Sequence, residues 1–383
     1  MNSLSELDFM SELESTAAAD DDKQDDDFQQ SGDICEQQPF ERTITKPVKR
    51  EIVWSMVVKL AVFHIFGISA FFLAPFTANY TILFGALLVF SNIFGIQIGA
   101  HRLWSHKSFQ ATFGLRLFLA ACQTMAMQNS IYDWVRDHRV HHKWSDTDAD
   151  PHNATRGFFF SHMGWLMVRK HPEVMLKGAT VDMKDLNADP IVTFQHRHYG
   201  PLVLLLNAII PTLIPVLLWK EHALIAFLNC VLYRYLFTFH VTLMTNSWAH
   251  MYGTKPYNRK LAPVEASTRH LMFGEGFHNY HHAFPWDYSA SELGPLDVFN
   301  PATALIDCFA HLGWASNLKK PTAALVKRTI QSNGDFSLGY SKGHGAWDWF
   351  WGLASTTLPF TSQFAYKYAF LYLFTRYNQK CTF

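Results

Sequence analysis

Four stretches of this chain are too long and too apolar to be ordinary surface elements, and they constrain the fold more than any other feature. They run over about 53–73, 80–99, 202–219 and 223–244, each close to the roughly 20 residues a helix needs to cross a bilayer. In lipid a backbone must satisfy its own polar groups, and a single apolar segment does that as a helix. The first pair is joined by "APFTANY" and the second by "KEH", links short enough to make each pair an antiparallel hairpin. The expected fold is therefore an all-α membrane protein with four spans arranged as two hairpins.

Charge orients this plan. Lys46, Lys49 and Arg50 precede the first span, the first link has neither Lys nor Arg, and both are plentiful across 102–199 and 255–328. The positive-inside rule puts the N-terminus and these two segments in the cytosol. Residues 100–199 and 245–345 are thus expected to form one helical cytosolic cap. The formal net charge is zero and no large basic cluster exists, which excludes a nucleic-acid binder. The five cysteines are scattered without a CxxC pair, so they read as isolated thiols. Residues 1–45, with "DDDKQDDD", read as a disordered acidic tail.

Several segments are less typical. Lys59, Asn92 and Arg234 lie inside spans and are expected to snorkel or to face a cavity. Phe113–Met127 is apolar but short and reads as an interfacial helix. The stretch 360–374, "FTSQFAYKYAFLYLF", contains Gln363 and Lys367 and is expected to lie on the membrane surface as part of an aromatic tail, 346–383. The sequon at Asn79 lies too close to the membrane to be a good glycosylation site.

Where the spans end, histidines begin. "AHRLWSH" follows the second span, "HRVHH" lies in the middle segment, "NSWAH" extends the fourth span and "HNYHH" comes soon after. All of these fall on one side of the membrane. In each HxxHH triplet the i, i+3 and i+4 spacing puts three imidazoles on one helix face. His101 and His106, five apart, lie about 140° apart on an ideal helix, so they reach two ions, or one if the helix unwinds. Nine imidazoles exceed what one zinc accepts, but give two ions four or five ligands each. Imidazole suits Zn, Cu, Fe and Ni alike; redox chemistry on a lipid makes iron the first expectation. His152 reads as a hydrogen-bonding neighbour, His64 and His240 as core residues, and His162, His171, His196 and His198 as lacking ligand-like partners.

The stretches "GAHRLWSH", "RDHRVHHKWSDTDADPHN", "GFFFSHMGWLMVRKHPEV" and "FGEGFHNYHHAFPWDY" resemble the animal acyl-CoA desaturases, the stearoyl-CoA delta-9 type and its insect relatives, over roughly residues 50–345. The resemblance implies an endoplasmic-reticulum enzyme with a di-iron centre as its catalytic group. His101, His106, His138, His141, His142, His250, His278, His281 and His282 match the family's ligands, and Asn246 matches an asparagine acting through water. It further implies O2 as cosubstrate, with electrons from cytochrome b5 and its NADH-dependent reductase. Asn129, Arg136, Asp137, Arg169 and Lys170 match positions that hold the CoA moiety; Gln128, Trp134 and Thr242 match the bend of the acyl channel. Three departures stand out: "WSM" (Trp54, Ser55, Met56) replaces a common Trp-Arg-Asn, Leu243 replaces a tryptophan, and Val89 and Ile93 replace Tyr and Ala at the closed end of the channel.

The expected reaction is insertion of a cis double bond, delta-9 first, into a saturated acyl-CoA. Methylene C–H bonds have no acidic proton, so acid–base catalysis alone cannot break them. A redox metal with O2 can, if the protein fixes one pair of methylenes beside it. The chain contains no GxGxxG fingerprint, phosphate loop or HPGG haem motif, so the electrons are expected from a separate protein. The alternatives are a shifted bond position such as delta-11, or another membrane di-iron enzyme such as a lipid or alkane hydroxylase. A transporter would carry its polar residues along a path through the bilayer, whereas these histidines lie outside it.

Overall fold

The computed structural model describes residues 50–335 and 345–381; the acidic tail expected at 1–45 lies outside them. Among the described residues, four helices are long and apolar enough to cross a membrane: α1 (Trp54–Phe72), α2 (Asn79–Ser105), α5 (Tyr199–Trp219) and α6 (Ala223–Met251). Between the hairpins lie α3 (Phe113–Ala126) and α4 (Ile131–Lys143), followed by short helices that lead to α5. After α6 come the one-and-a-half-turn helix α7 (His278–Ala283) and, last, the 36-residue α8 (Ala346–Cys381). The strands among the described residues form only two two-stranded ribbons, Gln110–Ala111 with Ala315–Ser316 and Gly253–Thr254 with Glu265–Ala266. The fold is the expected helical one.

Two spans outrun their apolar stretches on the same side. α2 continues to Ser105 and α6 to Met251, which carries His101 and His250 out of the apolar zone on rigid helix. From Gly95 to Ser105, α2 is a π-helix. Its position is set by a close approach to α3: a Cβ on Gly95 would lie 2.3 Å from the Gln123 amide nitrogen, so only glycine fits.

Of the polar residues named inside spans, Arg234 is accounted for by its neighbours, whereas both side-chain polar atoms of buried Asn92 lack a hydrogen-bond partner among the described residues. Arg234, fully buried, donates to the carbonyls of Cys230 (2.6 Å), Met125 (3.0 Å) and Asn207 (3.1 Å). It thereby satisfies the carboxyl end of α3, whose last carbonyls have no intrahelical partner. His64, His240 and His162 form a hydrogen-bonded chain (3.1 and 2.9 Å) that ends on the Leu60 carbonyl at 2.7 Å. A carbonyl cannot donate, so the protons all point one way and the chain reads as a staple between α1, α6 and the cap.

α3, expected to be an interfacial helix, packs one face into the protein and leaves an apolar face open. Leu115, Leu119, Ala120 and Cys122 are buried, while Phe113, Leu117 and Phe118 are exposed. The region 360–374 differs from expectation. It is not a separate surface segment but the middle of α8, which packs against α2 and the α1–α2 link, with Phe360 and Gln363 buried. Gln363 and Lys367 lower its hydropathy, but both have partners in the bundle (3.1 Å from Gln363 to Asn229; 2.8 Å from Lys367 to Asn79).

Candidate metal centre

The π-helical turn decides how the first two histidines are used. A π-helix closes i→i+5 hydrogen bonds, and the His106 amide donates to the His101 carbonyl at 3.2 Å. Residues five apart therefore come closer to one face than the roughly 140° of an ideal α-helix allows, and the His101 and His106 rings meet edge to face with centroids 4.9 Å apart, in one group. That group is His101, His106, His138, His142 and His281; a second comprises His141, His250, His278 and His282. In each, the candidate donor atoms all lie within 4.8 Å of one another. All nine expected ligands are present, in the proportion of five to four.

The spacing between donors fits a metal between them. Nε2–Nε2 separations are 3.0 Å for His101–His281, 2.8 Å for His106–His138 and 3.0 Å for His281–His142 in the first group. In the second they are 3.1 Å for His278–His250 and 3.2 Å for His282–His278. Two nitrogens bound at about 2.1 Å and at right angles across an ion stand roughly 3.0 Å apart. Burial, reinforced by repulsion between neighbouring imidazoles, holds His106, His138, His142, His278, His281 and His282 well below the ordinary histidine pKa. The rings are therefore neutral near pH 7, the form that binds metal. Either group could hold a metal ion.

Three carboxylates aim these rings, and reasoning from the sequence did not assign them. Asp150 accepts from His141 Nδ1 at 2.9 Å, Asp146 from His250 Nδ1 at 2.8 Å, and Glu275 faces His101 Nδ1 at 3.3 Å. Such contacts fix the tautomer and leave Nε2 as the donor atom. Burial by itself would raise the Glu275 carboxyl, but the Arg102 guanidinium at 2.6 Å, with His101, holds it down at about 2. The signal was available: Asp146 and Asp150 sit in the acidic run after the first triplet, and Glu275 is three residues before His278. His152 lies against Asp150, its backbone amide donating at 3.0 Å, and together with His141 and Asp150 it makes a third group close enough to hold an ion.

Two cavities meet at the centre. The inner one is lined by Ile93, Ile96, Gln97, Val241 and Thr245 and ends against His101, His141 and His278. The outer one is lined by Met56, Lys59, Gln128, Asn129, Asp137 and Leu243, among others. Both include Trp134, His138, Thr242 and Asn246. Asn246 is one helical turn before His250 and so faces the four-histidine group. At the junction Gln128 donates to Thr242 Oγ1 at 3.2 Å, and Trp134 stacks on His138 with ring centroids 4.8 Å apart. Of the expected end residues, Ile93 lines the inner cavity, while Val89 is buried one layer behind it.

The expected polar contacts divide. Asp137 lines the outer cavity and accepts from Lys170 at 2.5 Å and from Arg136 at 3.3 Å. Arg169 pairs instead with Glu51 at 2.6 Å on the open surface, where a single ion pair contributes little.

The sequence model of the fatty acid desaturase family matches residues 77–304. The chain belongs to this family. It is 47% identical over 306 residues to the acyl-CoA Delta-9 desaturase of Acheta domesticus, covering 79% of this chain and 83% of that protein. Stearoyl-CoA desaturase of Homo sapiens is 46% identical over 288 residues, or 75% and 80% of the two chains. An acyl-CoA Delta12-desaturase, also of Acheta domesticus, is 44% identical over 310 residues, or 80% and 85%. The likeness to enzymes named for delta-9 and for delta-12 is nearly equal, so overall similarity alone does not fix the bond position.

Proposed function

We propose that this desaturase is a fatty acyl-CoA oxidoreductase that inserts a cis double bond, delta-9 first, into a saturated acyl chain. The observation that carries the reading is the pair of histidine groups at the junction of two apolar-walled cavities. Two irons, held by His101, His106, His138, His142 and His281 and by His141, His250, His278 and His282, would supply O2 reduction and the oxidising power for C–H cleavage; Asn246 would act through water. The balance is simple. Two hydrogens leave adjacent methylenes, two electrons and two protons arrive, and O2 becomes two waters as the C=C bond forms. With no flavin or nicotinamide fingerprint in the chain, cytochrome b5 and its NADH-dependent reductase are the fitting electron source.

The chain's own residues then act by position. Asn129 and Asp137, which line the outer cavity, with Arg136 and Lys170 bound to Asp137, would hold the CoA end, and Arg169 would be a looser surface contact. Gln128, Trp134 and Thr242 would bend the acyl chain past the metal centre, and Ile93, backed by Val89, would stop its methyl end. Fixing one methylene pair beside the metals is what makes the reaction regiospecific. The excess of Lys and Arg on the histidine side fits a cytosolic cap and N-terminus on the endoplasmic reticulum.

The test is expression in yeast lacking its own desaturase, with mass spectrometry after derivatisation of double bonds. Growth without added oleate and a new 9-unsaturated acid are expected. A hydroxylated acid, or no new lipid with the protein and cytochrome b5 both present, would overturn the reading.

A further inference from the structure

α8 has no place in a plan of four spans, yet it is tied to both ends of the bundle. At its start Asp348 is buried, accepts from Arg269 and from the Phe299 amide (2.6 Å), and meets His270 Nε2 at 2.9 Å. Trp349 donates to the Pro295 carbonyl at 2.6 Å. All these partners follow α6, on the histidine side. Nineteen residues on, Lys367 Nζ donates to the Thr77 carbonyl at 2.5 Å and to Asn79 Oδ1 at 2.8 Å; Asn79 Nδ2 donates to the Tyr368 hydroxyl at 2.7 Å. Thr77 and Asn79 join α1 to α2 at the opposite end.

Nineteen helical residues rise about 28 Å, close to the thickness of a hydrocarbon core. The residues that weaken the apolar signal are those the bundle satisfies. Gln363 donates to Asn229 Oδ1 at 3.1 Å, and the Pro359 carbonyl accepts from the Tyr233 hydroxyl at 3.0 Å. Facing outward instead are Phe350, Trp351, Leu353, Leu358 and Leu371. A helix so arranged can cross lipid without exposing an unpaired polar group.

Midway along it, Phe360 is buried in one cluster with Val89, Ile93, Val241 and Phe273. Ile93 and Val241 are the inner cavity's wall, Val89 is the layer behind Ile93, and Phe360 belongs to the same cluster one layer further on, beside the turn of α2 that carries Gly85. Gly85 leaves room for the ring: a Cβ there would already touch it at 4.0 Å. Large-to-small changes behind a wall let the wall retreat.

We propose that α8 is a fifth bilayer-crossing helix and that its Phe360 determines acyl chain length by backing the closed end of the inner cavity. The second half rests on the reading of that cavity as the acyl site. The test uses the full chain in desaturase-deficient yeast fed saturated acids of graded length. Phe360→Ala is expected to raise the ratio of C18 to C16 products at least about threefold, a fraction of the effect of one methylene in direct contact with a pocket. Phe360→Trp should lower it. Should the alanine variant not accumulate, Phe360→Leu and Phe360→Trp carry the comparison. Unchanged ratios in the accumulated variants, with Ile93→Ala lengthening the product, would overturn the role of Phe360 alone. If Ile93→Ala also changes nothing, the acyl-site reading fails with it. Separately, epitope tags at the two termini are treated with protease in sealed microsomes. Five crossings place the termini on opposite sides, so one tag should survive until detergent is added. Equal fates for both tags would refute the crossing.

Discussion

Replacing Glu275 with glutamine tests the electrostatic footing of the metal centre. Arg102 is 1% exposed and Glu275 6% exposed, and their charges are 2.6 Å apart. The Arg102 guanidinium also donates to the Tyr288 carbonyl (3.0 Å) and to Thr303 Oγ1 (2.9 Å), but Glu275 is the carboxylate paired with it. Glu275→Gln leaves a buried cation without its counter-charge, a change that costs about 3–5 kcal/mol. At about 2 °C per kcal/mol for a chain of this size, the thermal midpoint in detergent should fall by roughly 6–10 °C. Arg102→Met in the same background removes the stranded charge, so the double variant should recover at least half of the loss. The part of the loss that acts through His101 would not be recovered. A single variant within 1 °C of the parent, or a double variant whose losses simply add, would refute the argument.

Asp150→Ala takes the acceptor from His141 Nδ1 and should weaken metal retention about 10–100-fold, read by competition with a graded chelator; unchanged retention would count against a ligand-aiming role. Asp348 tests the anchor of α8 by pH. Burial would raise its carboxyl, but the Phe299 amide, Arg269 and His270 outweigh burial and hold it below the ordinary carboxylate range. A depressed acid stabilises the fold above its unfolded pKa, near 3.9, and that contribution is lost as pH falls through the lower folded value. Asp348→Asn should therefore cost about 1.5–3 kcal/mol near pH 7 and converge on the parent in acid. Stability curves of parent and variant that stay parallel from pH 7 down to pH 2 would show that the carboxylate charge is not what matters.

Much of this protein was readable from its residues because the signals are local. Twenty apolar residues in a row have few alternatives to a spanning helix, and HxxHH puts three rings on one face whatever lies around it. The nine histidines chosen on those grounds are the ones that converge in space.

Other features depended on contacts between distant segments. Whether His101 and His106 share a group turned on a π-helical stretch, which an ideal 3.6-residue period hides and which follows from Gly95 meeting α3. Asp146, Asp150 and Glu275 had no assigned role along the chain; the fold set each against a ring. α8 was harder still. Gln363 and Lys367 argue against a crossing as long as hydropathy is summed along the chain, and the tertiary structure alone supplies Asn229, Thr77 and Asn79 to satisfy them. Local periodicity sets what a segment can become; the neighbours of its polar groups decide where it can lie, because desolvation is paired or unpaired only in three dimensions.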